Sequence, residues 1–134
     1  MKIDVPYYQQ TAEFTCGPAC AVMVLKYFNP SLEPTRELEF DLWRESNMIG
    51  SWGSDPFGLS ISLLKRGLKA HVITERKQTF PEDRIAKRFG KDEAQLALFS
   101  MRHSLKKALV LGLKVDFKVP RVADIRESLE NHQI

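Results

Sequence analysis

From Ala19 through Leu25 every residue is apolar, and the run continues through Tyr27 and Phe28 with only Lys26 interrupting it before Asn29-Pro30 stops it. Such a run is too long for most strands, so it demands a buried helix with other elements packed around it. Thr15 is placed to cap that helix, and Pro18 falls in its first turn, where a missing N–H does no harm. Cys16 therefore stands at or beside a helix start.

The remaining elements follow from the same reasoning. Thr35 opens a second helix with Glu37, Glu39 and Asp41 in its early turns, where negative charge meets the positive end of the helix dipole; Leu38, Leu42 and Trp43, extended by Met48 and Ile49, form its apolar stripe. Residues 50–56 are a loop by composition, and Asp55-Pro56 starts a third helix that Gly67 caps. Lys69 to Thr74 is expected as a strand, followed by a helical region from about Pro81 to Leu111 that breaks near Gly90 and ends at Gly112. Lys114 to Val119 alternates charged and apolar residues, the mark of a strand with one wet face. Val122, Ile125 and Leu129 then repeat at helical spacing. With Lys2 to Val5 as a short extended strand, the expectation is five helices and three short strands in a single domain over residues 1–134. The alternating order of helix and strand asks for one more strand after Ile134.

The 134 residues, 43% of them hydrophobic, suffice for a core without disulfides or a structural metal. The two cysteines, Cys16 and Cys20, are spaced neither as a disulfide framework nor as a zinc site, and a reducing compartment, the cytoplasm, fits them. No signal-peptide core and no membrane-length apolar stretch occurs, so no membrane association is expected. The sequence carries no H-E-x-x-H, phosphate-binding glycine loop or paired Cys/His cluster, so neither metal nor cofactor is expected. Charge is uneven, with 6 basic and 8 acidic groups in residues 1–67 against 14 and 9 in residues 68–134. Nucleic-acid binding through Lys87, Arg88, Lys91, Arg102, Lys106 and Lys107 is the least favoured of the readings below, since these charges are interleaved with acids as on solvated helix faces.

Chemical meaning concentrates at Gln10 and at Thr15-Cys16-Gly17-Pro18. The unpaired N–H groups of a helix start favour a thiolate, which makes Cys16 a candidate nucleophile. Gly17 would let a substrate backbone come close, and Gln10, six residues earlier, could aim its amide N–H at an oxyanion formed at Cys16. Read alone, Cys16 could equally be a small packing residue at a helix start. Cys20, one turn on, is expected to pack behind it, with a resolving thiol as the minor reading. Trp52, between glycine and serine residues, is the aromatic that could wall a substrate cleft.

The segment Val5-Pro6-Tyr7-Tyr8-Gln9-Gln10, five further residues, Cys16-Gly17-Pro18-Ala19 and the apolar helix after it resemble the N-terminus of the bacteriocin-processing, double-glycine cysteine peptidases and their papain-like relatives. Thr35-Arg36-Glu37-Leu38, Leu42-Trp43-Arg44-Glu45 and Asp55-Pro56-Phe57-Gly58-Leu59 extend the likeness to uncharacterised cytoplasmic relatives. The resemblance implies an α+β, papain-like cysteine-peptidase fold, with Cys16 as nucleophile, Gln10 at the oxyanion hole and a peptide or protein as substrate. It also implies a glycine-histidine before a hydrophobic strand and an Asp near a proline, and neither motif is found. His71 lies within the expected strand, His103 sits among basic residues and His132 ends the last helix, so none is a natural general base.

The chain accordingly corresponds to the cysteine-bearing, mainly helical half of that fold, with the sheet half and the catalytic histidine absent or supplied elsewhere. On its own it is expected to be an incomplete or inactive peptidase, and the exposed sheet edge and apolar face of a half-fold imply self-association or completion by a second segment. A non-catalytic peptide-binding module on the same scaffold is the alternative.

Overall fold

Helices form where a cap and an apolar period coincide, and the computed structural model, which describes residues 2–47, 50, 52–78 and 80–131, shows six of them among those residues. They are α1 (Cys16–Phe28), α2 (Arg36–Ser46), α3 (Pro56–Lys65), α4 (Glu82–Phe89), α5 (Lys91–Val110) and α6 (Val122–Glu130). Thr35 caps α2 by accepting from the Leu38 amide, and Asp55 caps α3 by accepting from the amides of Phe57 and Gly58. The helical region expected from Pro81 to Leu111 is divided at Gly90, whose positive φ serves both as the C-cap of α4 and the N-cap of α5. Met48, Ile49 and His132 lie outside the described residues.

Two helices leave by the same turn. At the end of α3 the amides of Gly67 and Leu68 donate back to the carbonyls of Leu64 and Leu63; at the end of α5 those of Gly112 and Leu113 donate to Leu109 and Ala108. Both glycines have positive φ, as the residue after a helix cap requires in this motif. Each exit launches a strand, β1 (His71–Thr74) after α3 and β2 (Lys114–Phe117) after α5, and the two pair in parallel with His71 opposite Lys114 and Ile73 opposite Asp116. The crossover between them is α4 and α5, in keeping with the long connection that parallel strands need.

The fold is therefore α+β, mostly helical, with two short strands among the described residues where three are expected. Residues 2–5 form no strand; the Val5 amide turns back on the Ile3 carbonyl. Alternation alone does not make a strand where no neighbouring backbone is in reach to complete the ladder.

Among the described residues three apolar clusters hold the elements. Ala21, Val22 and Leu25 of α1 pack with Leu42 of α2 and with Leu59 and Leu63 of α3. Phe57 and Ile61 of α3 meet Ala108 and Leu113, and this cluster receives Val72 of β1 and Val115 of β2. Ile85 of α4 joins Ala94, Ala97, Leu98 and Met101 of α5, with Trp52 and Phe89 at its edge. The expected stripe of α6 is met only in part: Leu129 is half-buried, but Val122 is 74% and Ile125 61% exposed, while Asp124 of the same helix is buried. Asp124 turns inward because it accepts from the Lys118 ammonium and the Arg121 amide, which outweighs what two small apolar contacts would contribute.

Candidate active site

The chain approaches α1 along an irregular loop that would have no fixed shape without partners of its own. The Ala12 carbonyl gathers three donors: the Gln10 amide nitrogen at 2.8 Å, the Thr15 hydroxyl at 2.9 Å and the Thr15 backbone N–H at 3.3 Å. Gln10 is thus tied, through one shared acceptor, to the residue immediately before Cys16. Thr15 occupies the cap position, but its buried side chain makes no cap hydrogen bond to α1 and holds this loop instead. The second hydrogen of the Gln10 amide has only a 3.5 Å contact to the Glu13 carbonyl, so it is the more easily redirected of the two.

Cys16 is the first residue of α1 and its thiol is exposed. Cys20, one turn further, is exposed as well; the face of α1 that packs is formed by Ala19, Ala21, Val22 and Leu25. The expectation that Cys20 packs behind Cys16 gives way to two neighbouring surface thiols. Gly17 has a structural use: a Cβ there would stand 2.8 Å from Leu59 Cδ1, so the missing side chain lets α3 close on α1. Trp52 is held between α2 and α4. Its carbonyl accepts from the Trp43 indole at 2.9 Å, its ring meets Phe89 edge-on at 4.9 Å between centroids, and the Arg88 guanidinium lies 4.6 Å over it.

A residue that sequence reasoning treated as a helix-dipole charge proves central to the loop. Glu39 of α2 is wholly buried and accepts the Thr11 amide at 2.9 Å, the Thr11 hydroxyl at 2.7 Å and the Tyr8 hydroxyl at 2.9 Å. Burial acts to raise its pKa, but the nearby Thr15 hydroxyl and the hydrogen bonds from the Thr11 amide and hydroxyl and from Tyr8 together outweigh burial and hold the carboxyl below its ordinary value. Tyr8 moves the other way, pushed up to about 12 by burial first and then by its bond to the Glu39 carboxylate. The available signal was position: Glu39, Leu42 and Ser46 share one helical face, and all three are buried.

The histidines lie elsewhere. His71 Nε2 stands 2.9 Å from Asp116 Oδ2 across the parallel pair. Successive strand residues point to opposite faces, and Val72 and Val115 fill the core beside α3, so His71 and Asp116 face away from it. There they line a polar cleft of about 360 Å³ with Lys114, Lys118 and α6 residues Asp124 and Glu127. His103 is exposed on α5 with its ring stacked on Phe99. Among the described residues no group of three or more His, Cys, Asp or Glu side chains is arranged to hold a metal ion, and no helix is long and apolar enough to cross a membrane.

A sequence profile described as a Peptidase_C39-like family matches residues 5–134, a span that includes the Gln10 loop, Cys16 and both strands. The chain belongs to the Peptidase_C39-like family. No curated protein and no solved structure matches it. In this member of the Peptidase_C39-like family, an exposed thiol stands at a helix start and the Gln10 amide is tied, through the Ala12 carbonyl, to the residue before it.

Proposed function

We propose that this domain is a cysteine-peptidase-like unit in which Cys16 attacks the carbonyl of a peptide or protein substrate and Gln10 donates to the resulting oxyanion. The observation that supports the reading is the tether between the Gln10 amide and Thr15 through the Ala12 carbonyl, which ties a donor to the residue immediately before the exposed Cys16. Full turnover needs a general base, and the pairing of His71 with Asp116 on the other face of the sheet favours one from outside residues 2–131, in a second segment or a second copy. Exposed Val122 and Ile125 support association with such a partner, and light scattering at micromolar concentration tests it: a monodisperse monomer removes self-association. Two exposed unpaired thiols accord with a reducing, cytoplasmic setting.

Iodoacetamide alkylation followed by peptide mapping tests the nucleophile, with Cys20, also exposed, as an internal comparison. Cys16 is expected to react about 10-fold faster than Cys20. Equal rates would remove the catalytic reading. The separation of His71 from the core face also favours a second reading, a module that grips a peptide without cleaving it; Cys16→Ser would then retain full peptide affinity, with no acyl-enzyme forming in the unsubstituted chain.

A further inference from the structure

Gln10 sits on a segment without secondary structure, between two residues that are both fixed to the same carboxylate. Tyr8 donates its hydroxyl to Glu39 Oε2, and Thr11 donates its hydroxyl to Oε2 and its amide to Oε1. Hydrogen bonds to a charged acceptor are stronger than neutral ones, and a buried carboxylate accepting three of them is a stiff anchor. The anchor stands on α2, one turn before Leu42, which is itself wholly buried among side chains of α1 and α3. From Thr11 the chain runs one residue to the Ala12 carbonyl that ties Gln10 to Thr15. Both ends of the Gln10 segment are therefore set by α2, not by the loop's own propensity.

We propose that Glu39 is a positioning residue that sets the aim of the Gln10 amide toward Cys16. The inference rests on the oxyanion reading of Gln10 given above and adds the group that makes the donor preorganised. A free loop would have to be ordered each time the oxyanion formed, and a donor held in place avoids that cost at the moment of reaction.

The test uses 4-nitrophenyl acetate with the intact chain, because its good leaving group allows acylation without a histidine. The Cys16 thiolate sulfur forms a bond to the acetyl carbon while the carbonyl electron pair moves onto oxygen; return of that pair expels 4-nitrophenolate with the electrons of the broken C–O bond. Iodoacetamide serves as the comparison, since displacement at its saturated carbon produces no oxyanion. Gln10→Ala is expected to slow acetylation about 100-fold and Glu39→Gln at least about 10-fold, with the double variant no slower than Gln10→Ala alone, while iodoacetamide rates at Cys16 stay within about 2-fold.

If Gln10→Ala leaves acetylation unchanged, the oxyanion reading fails and the positioning role falls with it. If Gln10→Ala slows acetylation and Glu39→Gln does not, only the positioning role is overturned. Equal slowing of acetylation and alkylation in Glu39→Gln, or full additivity in the double variant, also overturns it. Should Glu39→Gln fail to fold by far-ultraviolet circular dichroism, Tyr8→Phe and Thr11→Val carry the same comparison, since each removes one hydroxyl bond to Glu39 and leaves the Thr11 amide bond in place. Each is expected to slow acetylation about 3-fold or more, and an unchanged rate in both overturns the proposal.

Discussion

Thr11 and Glu39 are joined twice, the Thr11 amide to one carboxylate oxygen at 2.9 Å and the Thr11 hydroxyl to the other at 2.7 Å. A loop residue and a helix residue 28 positions apart are thereby locked in distance and in orientation. Because Tyr8 binds the same carboxylate, an acid group inside the fold holds the whole approach to α1.

That acid group gives a pH dependence of definite sign. The folded pKa of Glu39 lies below its ordinary 4.5, so its contribution to stability is fully present above that value and is lost as pH falls through the folded pKa. Urea unfolding below about pH 4.5 is expected to show the loss, and Glu39→Ala is expected to flatten it while lowering stability at neutral pH by about 3 kcal/mol, because three donors lose their acceptor. An unchanged slope in Glu39→Ala would show that other carboxylates govern the acid limb.

Two glycines make different demands on their neighbours. A Cβ on Gly58 would lie 2.8 Å from the Ser46 carbonyl oxygen and 2.9 Å from its Cα, both backbone atoms, whereas a Cβ on Gly17 meets only the end of the Leu59 side chain. Gly58→Ala must push α2 away from α3 and is expected to cost about 3 kcal/mol in a denaturation midpoint comparison, against under about 1.5 kcal/mol for Gly17→Ala. Equal costs would mean that Leu59 is as immovable as the backbone.

Helices were the legible part of this fold, since Thr35, Asp55, Gly67 and Gly112 each announce a boundary in the local sequence. The second-order features were not. Glu39 looks like an ordinary first-turn acid until its place on the face of Leu42 and Ser46 is considered, and its partners Tyr8 and Thr11 are far away in sequence. The stripe of Val122 and Ile125 was visible, but which way it faces depends on Lys118 and Arg121 claiming Asp124. At the candidate site, Cys16 stood out by its place at a helix start and Gln10 by its spacing from it, their proposed roles coming from the family resemblance, while the shared Ala12 carbonyl that ties the amide to Thr15 is a backbone feature that side-chain patterns do not encode.

The His71–Asp116 pair supplies a control. It faces the polar cleft beside α6, with Val72 and Val115 between it and the helical core. His71→Ala is expected to leave acetylation of Cys16 by 4-nitrophenyl acetate within about 2-fold and to cost under about 1 kcal/mol in stability, as for a partly exposed pair. A tenfold drop in acetylation would place His71 in the reaction after all.

Asp55 presents the opposite case to Glu39. It is 1% exposed and caps α3 through one oxygen, while Oδ2, among the described residues, is the buried side-chain oxygen without a hydrogen-bond partner. Burial pushes its pKa from 3.8 up to about 6, against the smaller opposing pull of the Gly58 and Phe57 amides. With the folded pKa raised, the fold binds the proton more tightly than the unfolded chain, so stability falls as pH rises from about 4 to about 6, by about 3 kcal/mol at most. Asp55→Asn keeps an oxygen for the two amides and replaces the orphaned oxygen with a neutral NH₂ that borders the same space as the Ser46 carbonyl. The variant is therefore expected to lose the falling limb and to be the more stable protein above pH 6, in urea unfolding followed from about pH 4 to pH 8. A variant less stable than the parent at pH 8 would show that Oδ2 has a partner in solution, which a water bridging to the Ser46 carbonyl would provide.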